Sequence, residues 1–226
     1  MDAPKLPSPI AIDGPAASGK STLGRVLAER LGYRFLDTGL MYRAFTLAAL
    51  REGVAAADPD ACEALAGRLD MRVEAGAATT IHLGAEDVTP LLRSAEVEAN
   101  VSAYSAIPAV RQAMVRMQRE IAAGGPAVLA GRDIGTVVLP RAPLKFYLDA
   151  SEEARVRRRR VQAGSWGAEQ EVHEARRDIA GRDVVDSSRA TSPLRPADDA
   201  VVVDTTGMTL DEVIAFVLEK VRCAAG

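Results

Sequence analysis

Five short apolar runs punctuate the chain, each closed by a small or acidic residue: IAID at 10–13, FLD at 35–37, AVLAG at 127–131, LKFYLD at 144–149 and AVVVD at 200–204. The runs are continuous and lead into helical patterns. That combination predicts strands buried on both faces of a parallel α/β sheet. After the first run, Leu23, Val26, Leu27 and Leu31 recur at helical spacing, and Gly32 is a plausible stop. After the last run, Thr209 and Glu212 form the signature of a capping box before an amphipathic helix.

Two segments break the alternation. Residues 70–90 alternate weakly around Gly76 and Gly84, which predicts a small antiparallel hairpin or three-strand insert. Residues 151–190 are dense in charge and read as two helices, SEEARVRRRRVQ and EQEVHEARRDIAGRD, joined by a turn at AGSWG. Few large apolar residues occur there, so this segment is expected outside the main core.

Composition narrows the picture. At 226 residues the chain fits one domain with an insertion or two. Aromatics make up 4%, so Ala, Val, Leu and Ile must build the core. The net charge of −3 argues against duplex nucleic acid as the main ligand, because phosphate neutralisation needs a basic excess. No run approaches the ~20 apolar residues of a membrane span, and the N-terminus lacks an apolar signal core. Cys62, Cys223, His82 and His173 show no metal-like spacing and read as structural or surface residues. The expectation is a cytoplasmic, monomeric enzyme that binds neither membrane nor nucleic acid.

Gly14 to Ser21 fits G-x-x-x-x-G-K-S between a predicted strand and a predicted helix. Small residues let backbone N–H groups curl around a polyphosphate, and the helix N-terminus adds its positive end. The candidate ATP site is therefore Gly14, Pro15, Ala16, Ala17, Ser18, Gly19, Lys20, Ser21 and Thr22. Lys20 supplies a charge near the β/γ oxygens, and the Ser21 hydroxyl is the candidate ligand for Mg²⁺. This loop alone does not choose among a kinase, a GTPase and an ATP-driven machine.

Three further stretches stand out. LDTGLMYRA starts a helix at Asp37-Thr38-Gly39 and presents Tyr42 and Arg43 one turn in; its bland reading is a capped helix with a surface arginine. LAGRDIGTVVLP delivers Arg132 and Asp133 to a strand's C-terminal end, where open α/β sheets bind ligands; the alternative is a salt bridge at a strand end. GRDVVDSSRATSPL places Arg182, Asp186 and Arg189 four and three apart on one helical face; the alternative is a solvated ion-pair ladder.

In this order, IDGPAASGKST, LDTGLMYRA, GRDIGTVVLP and the RD-VVD-SSR-ATSPL-PADDA segment resemble the bacterial cytidylate kinases, relatives of adenylate kinase, from about Ile10 to Val217. The resemblance implies transfer of the γ-phosphoryl of ATP to CMP or dCMP with Mg²⁺. It also implies a P-loop α/β/α fold on a five-strand parallel sheet. The insert, about 70–96, would belong to the monophosphate-binding region, and 151–190 would be a lid. Residue by residue, Arg43, Arg132 and Arg189 match the arginines that hold the CMP phosphate. Tyr42 matches the aromatic against cytosine, and Thr38 stands where the family has Ser or Thr. Ser102, Arg111 and Asp133 match the base-reading set, and Arg182 and Asp186 the ribose-holding pair. An ionised aspartate accepts from the exocyclic amine of cytosine and not from uracil, whose carbonyl is itself an acceptor.

RVRRRR at 155–160 has three readings: a solvated helix face, a nucleic-acid patch weakened by nearby glutamates, or, by the resemblance, lid arginines closing on ATP. On the third, Arg155 and Arg159, with Arg158 nearby, meet the ATP phosphates. Lys20, Arg132, Arg155, Arg159 and Arg189 would then surround the transferring group. Two departures stand out. The link AGSWGAEQE is shorter than the long polar linker common in the family. Ala17 replaces a frequent Gly, a mild change if that position does not need positive φ. The rival readings are a P-loop kinase for another monophosphate or small metabolite, a P-loop switch, which would need a guanine-reading N-K-x-D stretch that this sequence lacks, and a nucleic-acid-binding module.

Overall fold

A computed structural model describes residues 6–163, 169–189 and 192–225. In chain order the elements are β1 (Ile10–Asp13), α1 (Lys20–Leu31), β2 (Arg34–Asp37), α2 (Thr38–Arg51), α3 (Pro59–Arg68), β3 (Met71–Ala75), β4 (Thr79–Leu83), β5 (Glu86–Asp87), α4 (Ala95–Ser105), α5 (Pro108–Ala123), β6 (Ala127–Gly131), β7 (Leu144–Asp149), α6 (Glu152–Ala163), α7 (Glu169–Ser188), β8 (Val201–Asp204) and α8 (Leu210–Cys223). The AGSWG turn expected between the charged helices falls mostly in 164–168, outside the described residues.

The five apolar runs form one parallel sheet in the order β2-β6-β1-β7-β8. Period-two alternation divides its side chains between two cores. Ala11, Leu36 and Leu129 face one with residues of α2 to α5, whereas Ile10, Ile12, Val128 and Ala130 face the other with α1 and α8. Three layers result, with a helical layer on each face of the sheet. Both helix signals hold. Gly32 ends α1 in a left-handed conformation, and Thr209 and Glu212 close the capping box of α8.

β3, β4 and β5 form the expected antiparallel insert. It covers the outer edge of β2, where Phe35 N donates to Gly76 O at 2.9 Å and Asp37 N to the Thr79 hydroxyl at 2.8 Å. An edge strand's unsatisfied groups are thereby paired. In α6 and α7, the buried Ala154, Val156 and Ile179 belong to neither core, in line with a segment outside it.

β1 and β6 are neighbours whose onward connections run in opposite directions across the sheet. Ligands bind outside the carboxyl ends of such a pair. The glycine-rich loop leaves β1 there, and Gly131-Arg132-Asp133 leaves β6. A π-helical turn at Ile134–Val138 follows, and the Asp13 carboxylate accepts from Ile134 N at 2.8 Å and Gly135 N at 2.7 Å. Asp13 thus locks the two ligand-bearing strand ends together. Burial raises its carboxyl to about 6, even though both N–H donors favour the anion.

Candidate active site

The loop after β1 is built on close approach. A Cβ on Gly14 would sit 2.2 Å from the Leu148 carbonyl oxygen, so no other residue fits without moving β7. Gly19 caps α1 at φ 94°. Ala17 also has positive φ, 58°, which corrects the expectation that its replacement of glycine is mild: the position does use the left-handed region. Lys20 is buried, and its ammonium donates to the Pro15 carbonyl at 3.0 Å. Burial, then the neighbouring Arg132 charge, pushes its pKa well below the usual lysine range. An anion in the loop would reverse both effects.

Across the cleft, Asp37 caps α2 by accepting from Gly39 N at 3.0 Å. The Thr38 hydroxyl donates to Ala130 O at 2.9 Å and fixes that helix start to β6. Gly131 makes this possible, since a Cβ there would lie 2.7 Å from the Thr38 hydroxyl. Tyr42 is buried, with the Arg111 guanidinium 5.3 Å from its ring centroid. The Tyr42 hydroxyl has no hydrogen-bond partner among the described residues, and burial raises its pKa to about 12. Arg111 also donates to Ser105 O at 3.1 Å and pairs with Asp133, both side chains nearly inaccessible.

Arg132 donates through Nε to Asp186 at 2.7 Å, and Arg189 pairs with the other Asp186 oxygen. Arg132 and Asp133 therefore do not pair with each other; each reaches a partner on another element. The α7 triplet is not a solvated ladder either, because the side chains of Asp186 and Arg189 are 8% and 6% exposed. Burial, followed by the charges of Arg111 and Arg132, lowers the Arg189 pKa to about 10. Its charge is shared with Asp186, yet its buried Nε has no hydrogen-bond partner among the described residues.

The arginine run on α6 divides. Arg155 lies over the loop, with Nη1 3.4 Å from Ala16 O, and pairs with Asp183. Arg158 bridges Ser18 O at 3.2 Å and Thr205 O at 2.6 Å. Arg159 points instead across the cleft to Glu98, at 3.1 Å. Glu98 also receives Arg43 Nε at 2.9 Å and pairs with Arg182.

These side chains surround one cavity of about 560 Å³. Ala16, Ala17, Gly19, Lys20, Ser21, Thr22, Thr38, Tyr42, Arg43, Ser102, Arg111, Arg132, Asp133, Arg159, Arg182, Asp186 and Arg189 all line it, whereas Gly14, Pro15, Ser18 and Arg155 do not. Eight cationic side chains meet four carboxylates there, a cationic excess inside an acidic protein. Sequence reasoning missed Asp13, Asp183, Arg93 and Glu98. Helical spacing carried a signal for two of them: Glu98 lies one turn before Ser102, and Asp183 three residues before Asp186.

Comparison with known proteins gives the family. The family model described as cytidylate kinase matches residues 10–223. A cytidylate kinase of Streptococcus sanguinis is 48% identical over 217 residues, covering 94% of this chain and 96% of its own. One from Desulforamulus reducens is 46% identical, with the same coverage of both chains. Among solved structures, a gluconokinase from Sinorhizobium meliloti superposes with a TM-score of 0.50 at 15% identity, over 98% of this chain and 95% of its own, a likeness of fold alone. The family match spans the glycine-rich loop, the insert, the GRD turn and the charged helices together, and on that extent the chain belongs to the cytidylate kinase family.

Proposed function

We propose that this cleft binds ATP over the Gly14–Thr22 loop and CMP or dCMP against α2, α4, α5 and the GRD turn, and transfers the γ-phosphoryl group between them. The observation that carries this reading is the convergence of cations on the crevice between β1 and β6, where eight cationic side chains outnumber four carboxylates and the Lys20 ammonium has only the Pro15 carbonyl as a hydrogen-bond partner among the described residues. An acceptor phosphate oxygen bonds to the γ-phosphorus while the bond from that phosphorus to the β–γ bridging oxygen breaks, and ADP departs. The attacking phosphate is already an anion, so no general base is assigned. Positioning and charge neutralisation carry the catalysis.

Lys20 and Arg155 serve the donor side. Arg43, Arg132 and Arg189 hold the acceptor phosphate, and Arg159 reaches the transferring group from the lid. Tyr42 packs against cytosine, while Ser102, Arg111 and Asp133 read its edge. Arg182 and Asp186 hold the ribose. Closure of α6 and α7 over this set excludes water, which would otherwise accept the phosphoryl group.

A divalent cation fits the loop as part of the nucleotide complex. No group of three or more His, Cys, Asp or Glu among the described residues could hold a metal by itself, and Ser21 lines the cleft at the first turn of α1. Mg²⁺ bound there would take the Ser21 hydroxyl and phosphate oxygens, and would supply neutralisation of the β- and γ-oxygens.

Variants test the assignment. Lys20→Ala is expected to remain folded and to lose about 10²-fold or more in kcat. Arg132→Ala and Asp133→Ala are expected to raise KM for CMP far more than they alter ATP affinity. Unchanged CMP kinetics in both acceptor-side variants would remove these residues from the site.

A further inference from the structure

Four helices meet at one carboxylate. Glu98, on α4, accepts from Arg43 of α2, Arg159 of α6 and Arg182 of α7, and Arg182 also donates to the Glu98 main-chain oxygen at 2.9 Å. Its side chain is 13% exposed, and those of Arg43 and Arg182 are 14% and 16%. Arg159 is 28% exposed, and three guanidiniums brought this close would repel one another without a shared anion. Burial opposes the charge on Glu98, yet the three arginines outweigh it and hold the carboxyl at about 2.

The geometry leaves the arginines usable. Arg43 commits Nε to Glu98 and Nη1 to Gly39 O, so Nη2 remains for a ligand. Arg159 and Arg182 each engage Glu98 through Nη2, and their Nε and Nη1 have no hydrogen-bond partner among the described residues. One carboxylate therefore sets the direction of three planar donors without using up their donor capacity.

We propose that Glu98 is a positioning residue for phosphoryl transfer: it orients Arg43 of α2, Arg159 of α6 and Arg182 of α7 as a unit, so that the acceptor nucleotide meets a preformed set of donors from both sides of the cleft. Glu98 touches neither reacting atom in this scheme and acts through the arginines. The proposal rests on the acceptor-site reading given above for Arg43.

A double-mutant cycle separates this role from simple pinning of α4. Steady-state kinetics for CMP and ATP would be measured for the intact chain, Glu98→Ala, Arg43→Ala and the double variant, with melting curves for each. Glu98→Ala is expected to raise KM for CMP about tenfold, with kcat changing less than about threefold. In the Arg43→Ala background the same substitution is expected to raise KM severalfold less than in the intact chain, because one of the three groups it acts through is gone while Arg159 and Arg182 remain. Glu98→Gln, which keeps an oxygen acceptor but not the charge, is expected to fall between, and it carries the same cycle if the alanine variant does not fold. An unchanged KM in the Glu98 variants, or the same fold-effect in both backgrounds, overturns the positioning role while leaving the acceptor site standing. An Arg43→Ala variant with unaltered KM for CMP overturns the acceptor-site reading and this proposal with it.

Discussion

Position 17 shows how far a residue's chemistry could be read before its conformation was known. The sequence identified the loop and Lys20, but φ at Ala17 is a property of the folded turn. A Cβ in the left-handed region costs about 1–2 kcal/mol, somewhat more than the entropy glycine would lose. Ala17→Gly is therefore expected to raise the melting midpoint by roughly 2–4 °C in a chain of this size, as scanning calorimetry would record. Asp133 carries the clearest specificity prediction. Its pairing with Arg111 fixes the carboxylate at the cleft wall, where it can accept from an amine. Asp133→Asn is expected to reduce the preference for CMP over UMP by about ten- to hundredfold, the cost of one mispaired buried polar group, read from kcat/KM for both acceptors. Two of the residues missed by sequence reasoning, Asp183 and Glu98, are carboxylates that hold arginines. Helical spacing places them beside site residues of their own helices, but their partners come from elements far apart in the chain, as with Glu98 and Arg182, and no local pattern reports that pairing.

At the scale of elements, the sheet strands were legible because each is short and continuous; β1, β2 and β6 are buried on both faces as expected, whereas β8, at the sheet's edge, leaves Val202 57% exposed. The insert was legible because its alternation differs from theirs. The π-helical turn after the GRD stretch was not; its first two N–H groups, of Ile134 and Gly135, are held by the carboxylate of Asp13, far away in the chain. The division of the arginine run was also hidden: helical spacing sets the faces, but the positions of Glu98 and Asp183 decide where each guanidinium goes. The junction of α2, α4, α6 and α7 predicts an acid dependence. The Glu98 carboxyl lies at about 2, against an ordinary 4.5. A depressed acid contributes stability above its unfolded value and loses it as pH falls through the folded one. The stability difference between the intact chain and Glu98→Gln should therefore be largest above pH 4.5 and shrink toward pH 2, by of the order of 3 kcal/mol. Denaturant titrations of both proteins at several pH values would show it, and a difference independent of pH would contradict it.

For the molecule as a whole, an acidic exterior surrounds a cationic cleft. Such a cleft attracts polyanionic nucleotides while the net charge of −3 discourages extended nucleic acid. KM for CMP is expected to rise severalfold as ionic strength increases from about 0.05 to 0.3 M, with kcat less affected, as the screening length shortens. The same fold serves other kinases, as the gluconokinase likeness illustrates, so the fold by itself does not fix the acceptor. The most direct test is a coupled assay of ADP release with CMP, dCMP, UMP, AMP, GMP and dTMP as acceptors, each with and without Mg²⁺. Fast turnover of CMP and dCMP with Mg²⁺, and much slower turnover of the others, is the predicted result. Preferential turnover of a different acceptor would contradict the cytosine-reading role assigned to Asp133 and its neighbours.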